Sequence, residues 1–388
     1  MFRRLVVLAA LAAAAPRVAR ADAAAGRDFA SDARLFYRVV ACADDGPVPP
    51  GFDAKIVDAH CKEMRERLTK FETKYLTPAS AFFGEVRPKG LPTTVVYPFG
   101  GGDLVSALTV YPDAREITTM SLEHPGDPTR LAGLDARHLK SSLRLFRDSI
   151  RGLLVNNDSA STNMMKLERG PIPGQLAYFM TGLVATGYEP VSLRYFKLGP
   201  DGAVIYLTDA DITALADEKA KKIKGSWVDT DYSRAYDNME LTFRKKGVAS
   251  APLIVHRHFS ANLADDKLKG SPLLAHLEAK GKVAVITKAA SYLLWLSDFK
   301  VIRDYLIAHL VFMASDSTGI PPRFAKKAGL VQTTYGSFDG SYLGASENDN
   351  DAFRKLWKSQ PKRKLPFRFG YPDSAGHVHL MLTTPGAP

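Results

Sequence analysis

The stretch TTVVYPFGGGDLVSALTVYPDAREITTMSLEHPGD, residues 93–127, decides the fold class. TVVYPF is rich in β-branched and aromatic residues, as a strand is. Gly100, Gly101, Gly102 and Asp103 form a turn signal, LVSALTVY a short helix, PDAR a second turn and EITTMSLE a second strand. A strand, helix and strand in this order make a βαβ-like unit, with neighbouring parallel strands and a right-handed crossover. The crossover is shorter than in a standard unit.

Outward from this unit, residues 52–76 have helical periodicity around Ile56, Met64, Leu68 and Phe71. Residues 136–154 place Leu139, Leu143, Phe146, Ile150 and Leu153 on one side of another helix, and QLAYFMTGLVATG gives a third that ends at Gly187. The middle of the chain changes character. VSLRYFKLG and AVIYLT flank PDG as a hairpin, and ELTFRKKG and PLIVHRHFSANL add strands with alternation, so this region is expected to be antiparallel. A short helix over 271–279, a strand KVAVITK, one amphipathic helix over 298–314 with Asp298 as N-cap, and a last strand HVHLMLT complete the chain. These elements predict an α/β fold: a mixed sheet with flanking helices, parallel in its N-terminal part and more antiparallel in the middle and C-terminal parts. The segments are a leader over 1–21, an N-terminal helical segment over 22–80 and a mixed α/β domain over 81–388, with a division near 190 left open.

The leader is expected to be a signal peptide. Arg3 and Arg4 precede an 11-residue apolar run, and Ala19-Arg20-Ala21 fits small-x-small cleavage before Asp22. That run is shorter than the roughly 20 residues a membrane span needs, and no second stretch reaches that length. The expected destination is the periplasm or the medium, without a transmembrane anchor after cleavage. Removing Arg3, Arg4, Arg17 and Arg20 lowers the formal charge from +11 to +7. The short basic patches at 221–224, 244–246 and 362–364 lack interleaved stacking aromatics, so no nucleic-acid partner is indicated. Cys42 and Cys61 are the two cysteines, and in an oxidising compartment a pair so close in sequence predicts a disulfide.

Several residues are candidates for chemistry. Gly100, Gly101 and Gly102 allow a sharp turn and close approach to a ligand, and Glu123 ends the next strand where nucleotide-binding folds place an acid on a ribose. The competing reading is a glycine turn that permits close strand–helix packing, with Asp103 capping the helix. His256 and His258 share one face of a strand, as do His377 and His379; were the two strands adjacent, four imidazoles would converge on a metal. Otherwise His256 and Arg257 border a sheet edge while His258 makes a buried hydrogen bond, and the second pair is solvated. Asp316-Ser317-Thr318-Gly319 invites comparison with the aspartic-protease loop, but Thr318 interrupts it and no second copy exists. Neither a GxSxG elbow nor HExxH occurs. Tyr292, Trp295 and Phe299 fit a groove or a packed core, and Asn157-Asp158-Ser159 matches a glycosylation sequon.

The turn from Gly100 to Asp103, together with Glu123, resembles the first motif and ribose acid of S-adenosylmethionine-dependent methyltransferases over about 30 residues. That resemblance implies a cofactor site at Gly100, Gly101, Gly102 and Glu123. VVYPFGGGDLVSALTVYPDA, HRHFSANL and TKAASYLLWLSDFKVIRDYLIAHLVFMASDSTGIPPRF resemble a family of uncharacterised bacterial exported or lipoprotein-like proteins. It implies that Tyr97, Asp103, His258, Ser291, Tyr292, Asp316 and Gly319 belong to one architecture, and carries over no activity. The first functional expectation is therefore an exported protein that binds a small molecule or an envelope partner. A metal-assisted hydrolase or a degenerate methyltransferase-like enzyme is the alternative, with Asp103, His258 and Asp316 as catalytic candidates. The sequence names no cofactor.

Overall fold

The computed structural model describes residues 26–44, 46–156, 172–216, 233–342 and 345–386. The leader, the sequon at 157–159 and the basic patch at 221–224 lie outside the described residues. Among the principal elements, helices α1 (Ala54–Phe71) and α2 (Thr77–Val86) precede strand β1 (Thr94–Pro98). Helix α3 (Leu104–Val110) leads to β2 (Glu116–Ser121), and helices α4 (Ala136–Arg151) and α5 (Gly174–Thr186) lead to the hairpin of β3 (Tyr188–Leu198) and β4 (Val204–Tyr206). Then come β5 (Asn238–Lys245), β6 (Ile254–Ser260), α6 (Pro272–Glu278), β7 (Val283–Thr287), α7 (Lys300–His309), β8 (Leu310–Ser315), β9 (Leu330–Gly336), α8 (Glu347–Lys358) and β10 (His379–Pro385).

The strands form a ten-stranded sheet in the order β4-β3-β5-β6-β2-β1-β7-β8-β10-β9. Its centre, β6-β2-β1-β7-β8, is parallel, and both margins are antiparallel. The fold class is thus the mixed α/β arrangement that the sequence predicts. The parallel block also draws on the C-terminal half, since β6, β7 and β8 belong to it. Because β3 pairs with β5, the sheet runs without a break across residue 190.

Side-chain alternation divides the core into two layers. Val95 and Tyr97 of β1 pack into the layer built with α1 to α5, whereas Val96 packs into the layer with α6 and α7. All five residues of β7 are buried, as the middle of a parallel sheet covered on both faces requires. The crossover from β1 to β2 passes over one face and that from β7 to β8 over the other, in opposite directions along the sheet, as a single crossover hand demands.

The expected helix over 298–314 is corrected. It ends at His309, and residues 310–315 are strand β8. The run LVFMA is apolar throughout, so periodicity does not separate a buried strand from a buried helix. Asp298 is not the N-cap; that position is Phe299, and Asp265, the first residue of a short helix over Asp265–Leu268, accepts from the Val301 amide at 2.8 Å. Helical structure also continues from α1 through Glu72–Leu76 into α2, because Pro78 sits in a first turn, where a missing N–H is harmless. Strand β9 and helix α8 lack a counterpart in the sequence reading. The predicted disulfide is present: Cys42 and Cys61 are bonded, with Cα atoms 5.1 Å apart.

Candidate functional site

Strand β1 is the seam of the sheet, because β2 lies on one side of it and β7 on the other. Connections beyond the carboxyl ends of such strands diverge to opposite faces and open a crevice. A cavity of about 660 Å³ lies there, within the range of small-molecule sites. The loop after β1 contributes Phe99, Gly100, Gly101 and Asp103; the end of β2 contributes Ser121, Leu122 and Glu123. The loop after β7 adds Lys288 to Ser291, and the segment before β10 adds Arg368, Tyr371 and Pro372. The structure therefore brings Gly100, Gly101 and Glu123 to one cavity, which Gly102 does not line.

The cavity floor is a buried polar cluster. Asp103 and Lys288 form an ion pair of 2.5 Å, each side chain 1% exposed. The Tyr97 hydroxyl donates to Asp103 Oδ2 at 2.9 Å, and the Ser106 amide donates to Asp103 Oδ1 at 3.2 Å, so Asp103 also caps α3. Lys288 Nζ donates to Ser106 Oγ at 2.8 Å. Burial and the neighbouring Asp103 charge push the Tyr97 hydroxyl far above its ordinary pKa, so it remains a proton donor. Gly100 and Gly102 serve packing, because a Cβ would stand 2.8 Å from the Tyr97 ring and 2.7 Å from Tyr178 Cβ respectively. Gly101, at φ +50°, lines the cavity.

Glu123 is 2% exposed and lines the same cavity. Its carboxylate makes no hydrogen bond or ion pair with another described residue, whereas its carbonyl is held firmly. His258 Nε2 donates to the Glu123 carbonyl at 2.9 Å, which leaves His258 Nδ1 as an acceptor. Thr119 Oγ1 then donates to His258 Nδ1 and accepts from His256 Nε2, both at 2.8 Å. This directed chain requires a neutral His258 ring. Burial depresses the His258 pKa to about 4 and drives that of His256 well below its ordinary value.

The metal convergence entertained for the two histidine pairs does not occur. Strands β6 and β10 are five positions apart in the sheet, about 24 Å at ordinary strand spacing. His379 is fully buried and meets Ser317 Oγ through Nε2 at 2.9 Å, so it is not solvated. His377 precedes the strand and pairs with Asp373 at 3.2 Å. Among the described residues, Cys42, His60 and Cys61 are the one group of three close enough to hold an ion, and their sulfurs are bonded to each other.

Asp316 is a fully buried loop clamp. It accepts from the Ala289 amide at 2.8 Å and from the Thr318 amide at 2.8 Å. The clamped loop is strained. Five described non-glycine residues have positive φ, and four of them, Phe99, Ala289, Ser291 and Tyr292, lie in the two loops that border the cavity. Each such residue costs about 1–3 kcal/mol, and strain of this kind concentrates at functional sites. Tyr292 anchors its loop in an aromatic box with Tyr342 and Phe353, at centroid distances of 5.0 and 5.5 Å. Trp295 completes the box, while Phe299 stands apart against Phe99.

Sequence reasoning singled out neither Lys288 nor Arg368, Tyr371 and Tyr342. The signal for Lys288 was its place directly after an apolar strand; the other three come from irregular segments joined to the site only by folding. No family model, curated protein or solved structure matches the chain.

Proposed function

We propose that this is an exported protein that binds a nucleoside-bearing small molecule, of the S-adenosylmethionine class, in the cavity beside β1. The observation that carries this reading is Glu123. Its buried carboxylate makes no hydrogen bond or ion pair with another described residue, and it lines the same cavity as the glycine loop. A ribose diol supplies the donors that such a carboxylate lacks. Export accords with the Cys42–Cys61 disulfide, since such bonds persist in oxidising compartments. Binding rather than turnover suits the side chains. Asp103 and Lys288 neutralise one another, and the neutral histidines are turned into Thr119 and the Glu123 carbonyl.

Calorimetric titration of the full chain with adenosine and S-adenosylmethionine tests this. Glu123→Gln should weaken both by at least about tenfold, the scale of a hydrogen bond to a charged group. Absence of binding to the parent chain, or equal affinity in the variant, refutes the proposal.

A further inference from the structure

The turn that carries Glu123 is tethered along its main chain. The Ser121 carbonyl accepts from the Ala261 amide at 2.7 Å, and the Leu122 carbonyl from the Ser260 hydroxyl at 3.2 Å. The Glu123 carbonyl accepts from His258 Nε2 at 2.9 Å, and the Gly126 carbonyl from the Tyr195 hydroxyl at 2.6 Å. None of these bonds engages the Glu123 carboxylate, which lines the cavity, whereas His258 does not line it. The tether at Glu123 itself belongs to a buried network. Thr119 is the register partner of His258 across β2 and β6. Thr119, His256 and His258 are fully buried, and the Phe179 ring centroid lies 4.5 and 5.3 Å from those of the two imidazoles. Apolar side chains at these positions would avoid the cost of burying polar atoms. That cost stays uncompensated at His256 Nδ1, which has no partner among the described residues. The return lies at the other end of the network. Thr119 gives its one hydroxyl proton to His258 Nδ1, which leaves the Nε2 proton directed at the Glu123 carbonyl. Both the tautomer and the plane of the ring are thereby set.

We infer that His258 is a positioning residue for ligand binding: oriented by Thr119, it holds the Glu123 main chain so that the carboxylate stands in the cavity before the ligand arrives. His258 touches no ligand, and its effect on affinity passes through Glu123. Such preorganisation raises affinity by removing the cost of ordering the turn on binding. This role rests on Glu123 as the acid that binds the ribose.

Calorimetric titration of the full chain with adenosine, over a cycle of His258 and Glu123 variants, tests it. His258→Leu removes the donor and should weaken adenosine about five- to tenfold, the scale of one neutral hydrogen bond. His258→Gln, whose amide N–H takes the place of Nε2–H, should recover most of that loss. In a Glu123→Ala background, His258→Leu should change the affinity by less than about twofold, because no carboxylate remains to be positioned. Thr119→Val keeps the shape and removes the hydroxyl, and its effect should depend on Glu123 in the same way. It carries the test if urea unfolding shows that His258→Leu does not fold. The inference is overturned, with the nucleoside reading intact, if Glu123→Ala weakens adenosine while His258→Leu leaves the affinity unchanged. It is equally overturned if His258→Leu costs the same with and without Glu123, as general damage to the fold would, or if His258→Gln binds no better than His258→Leu. If the parent does not bind adenosine, both readings fall together.

Discussion

Replacing Lys288 by Met removes one half of an ion pair from which water is excluded. Lys288 and Asp103 approach to 2.5 Å with 1% of each side chain exposed. Removing one partner of such a pair costs about 3–5 kcal/mol, because the remaining charge stays buried without compensation. For Lys288→Met the lower end applies, about 3 kcal/mol, since Asp103 keeps the Tyr97 hydroxyl and the Ser106 amide. Asp103→Asn should cost more, about 4–5 kcal/mol, because it leaves an ammonium facing an amide that has donors of its own. In the double variant both charges are gone, so its cost should fall below the sum of the singles by about 2–3 kcal/mol, as expected for residues in direct contact. Urea unfolding of all four proteins, followed by tryptophan fluorescence and far-ultraviolet circular dichroism, measures this cycle. A cost below about 1 kcal/mol for Lys288→Met, or singles that add within about 0.5 kcal/mol, would refute the account of the cavity floor.

Acid should destabilise the protein well before its carboxylates titrate. Burial holds His60 and His258 near pKa 4 and His124 near 3, below the roughly 6.5 of an unfolded histidine. The unfolded chain therefore takes up protons first. The stability due to these residues is complete above about pH 6.5 and declines towards pH 4, by up to ~1.4 kcal/mol per pH unit for each histidine. Urea midpoints that stay level between pH 6.5 and 4.5 would contradict this. The Cys42–Cys61 bond, with a sequence separation of 19, should contribute about 3 kcal/mol by limiting the unfolded chain. A Cys42→Ser/Cys61→Ser variant that matches the oxidised parent in urea would show that the bond does not stabilise the fold.

The candidate site was legible where its parts are close in sequence. Residues 93–127 contain the first two parallel strands, the glycine loop between them, and Glu123, and local propensity suffices to order them. The role of the histidines was not legible. Alternation puts His256 and His258 on one face of β6, but that face meets Thr119 only because β6 pairs with β2 across 137 residues. The same holds for Asp316, which looked like a fragment of a protease loop and instead clamps the strained turn after β7 from the neighbouring strand.

The sequence by itself determined the α/β class, the first βαβ unit, the hairpin of β3 and β4, and the cysteine pair. Each follows from contacts over short separations or from composition. The tertiary structure alone decided that residues 310–315 are a strand, that β6, β7 and β8 complete the parallel centre, and that Arg368 faces the cavity opened at β1. The physical reason is common to all three. An apolar run is compatible with helix or strand until a partner strand supplies hydrogen bonds to its backbone, and a charged side chain in an irregular segment has no defined neighbours until the sheet fixes which loops meet.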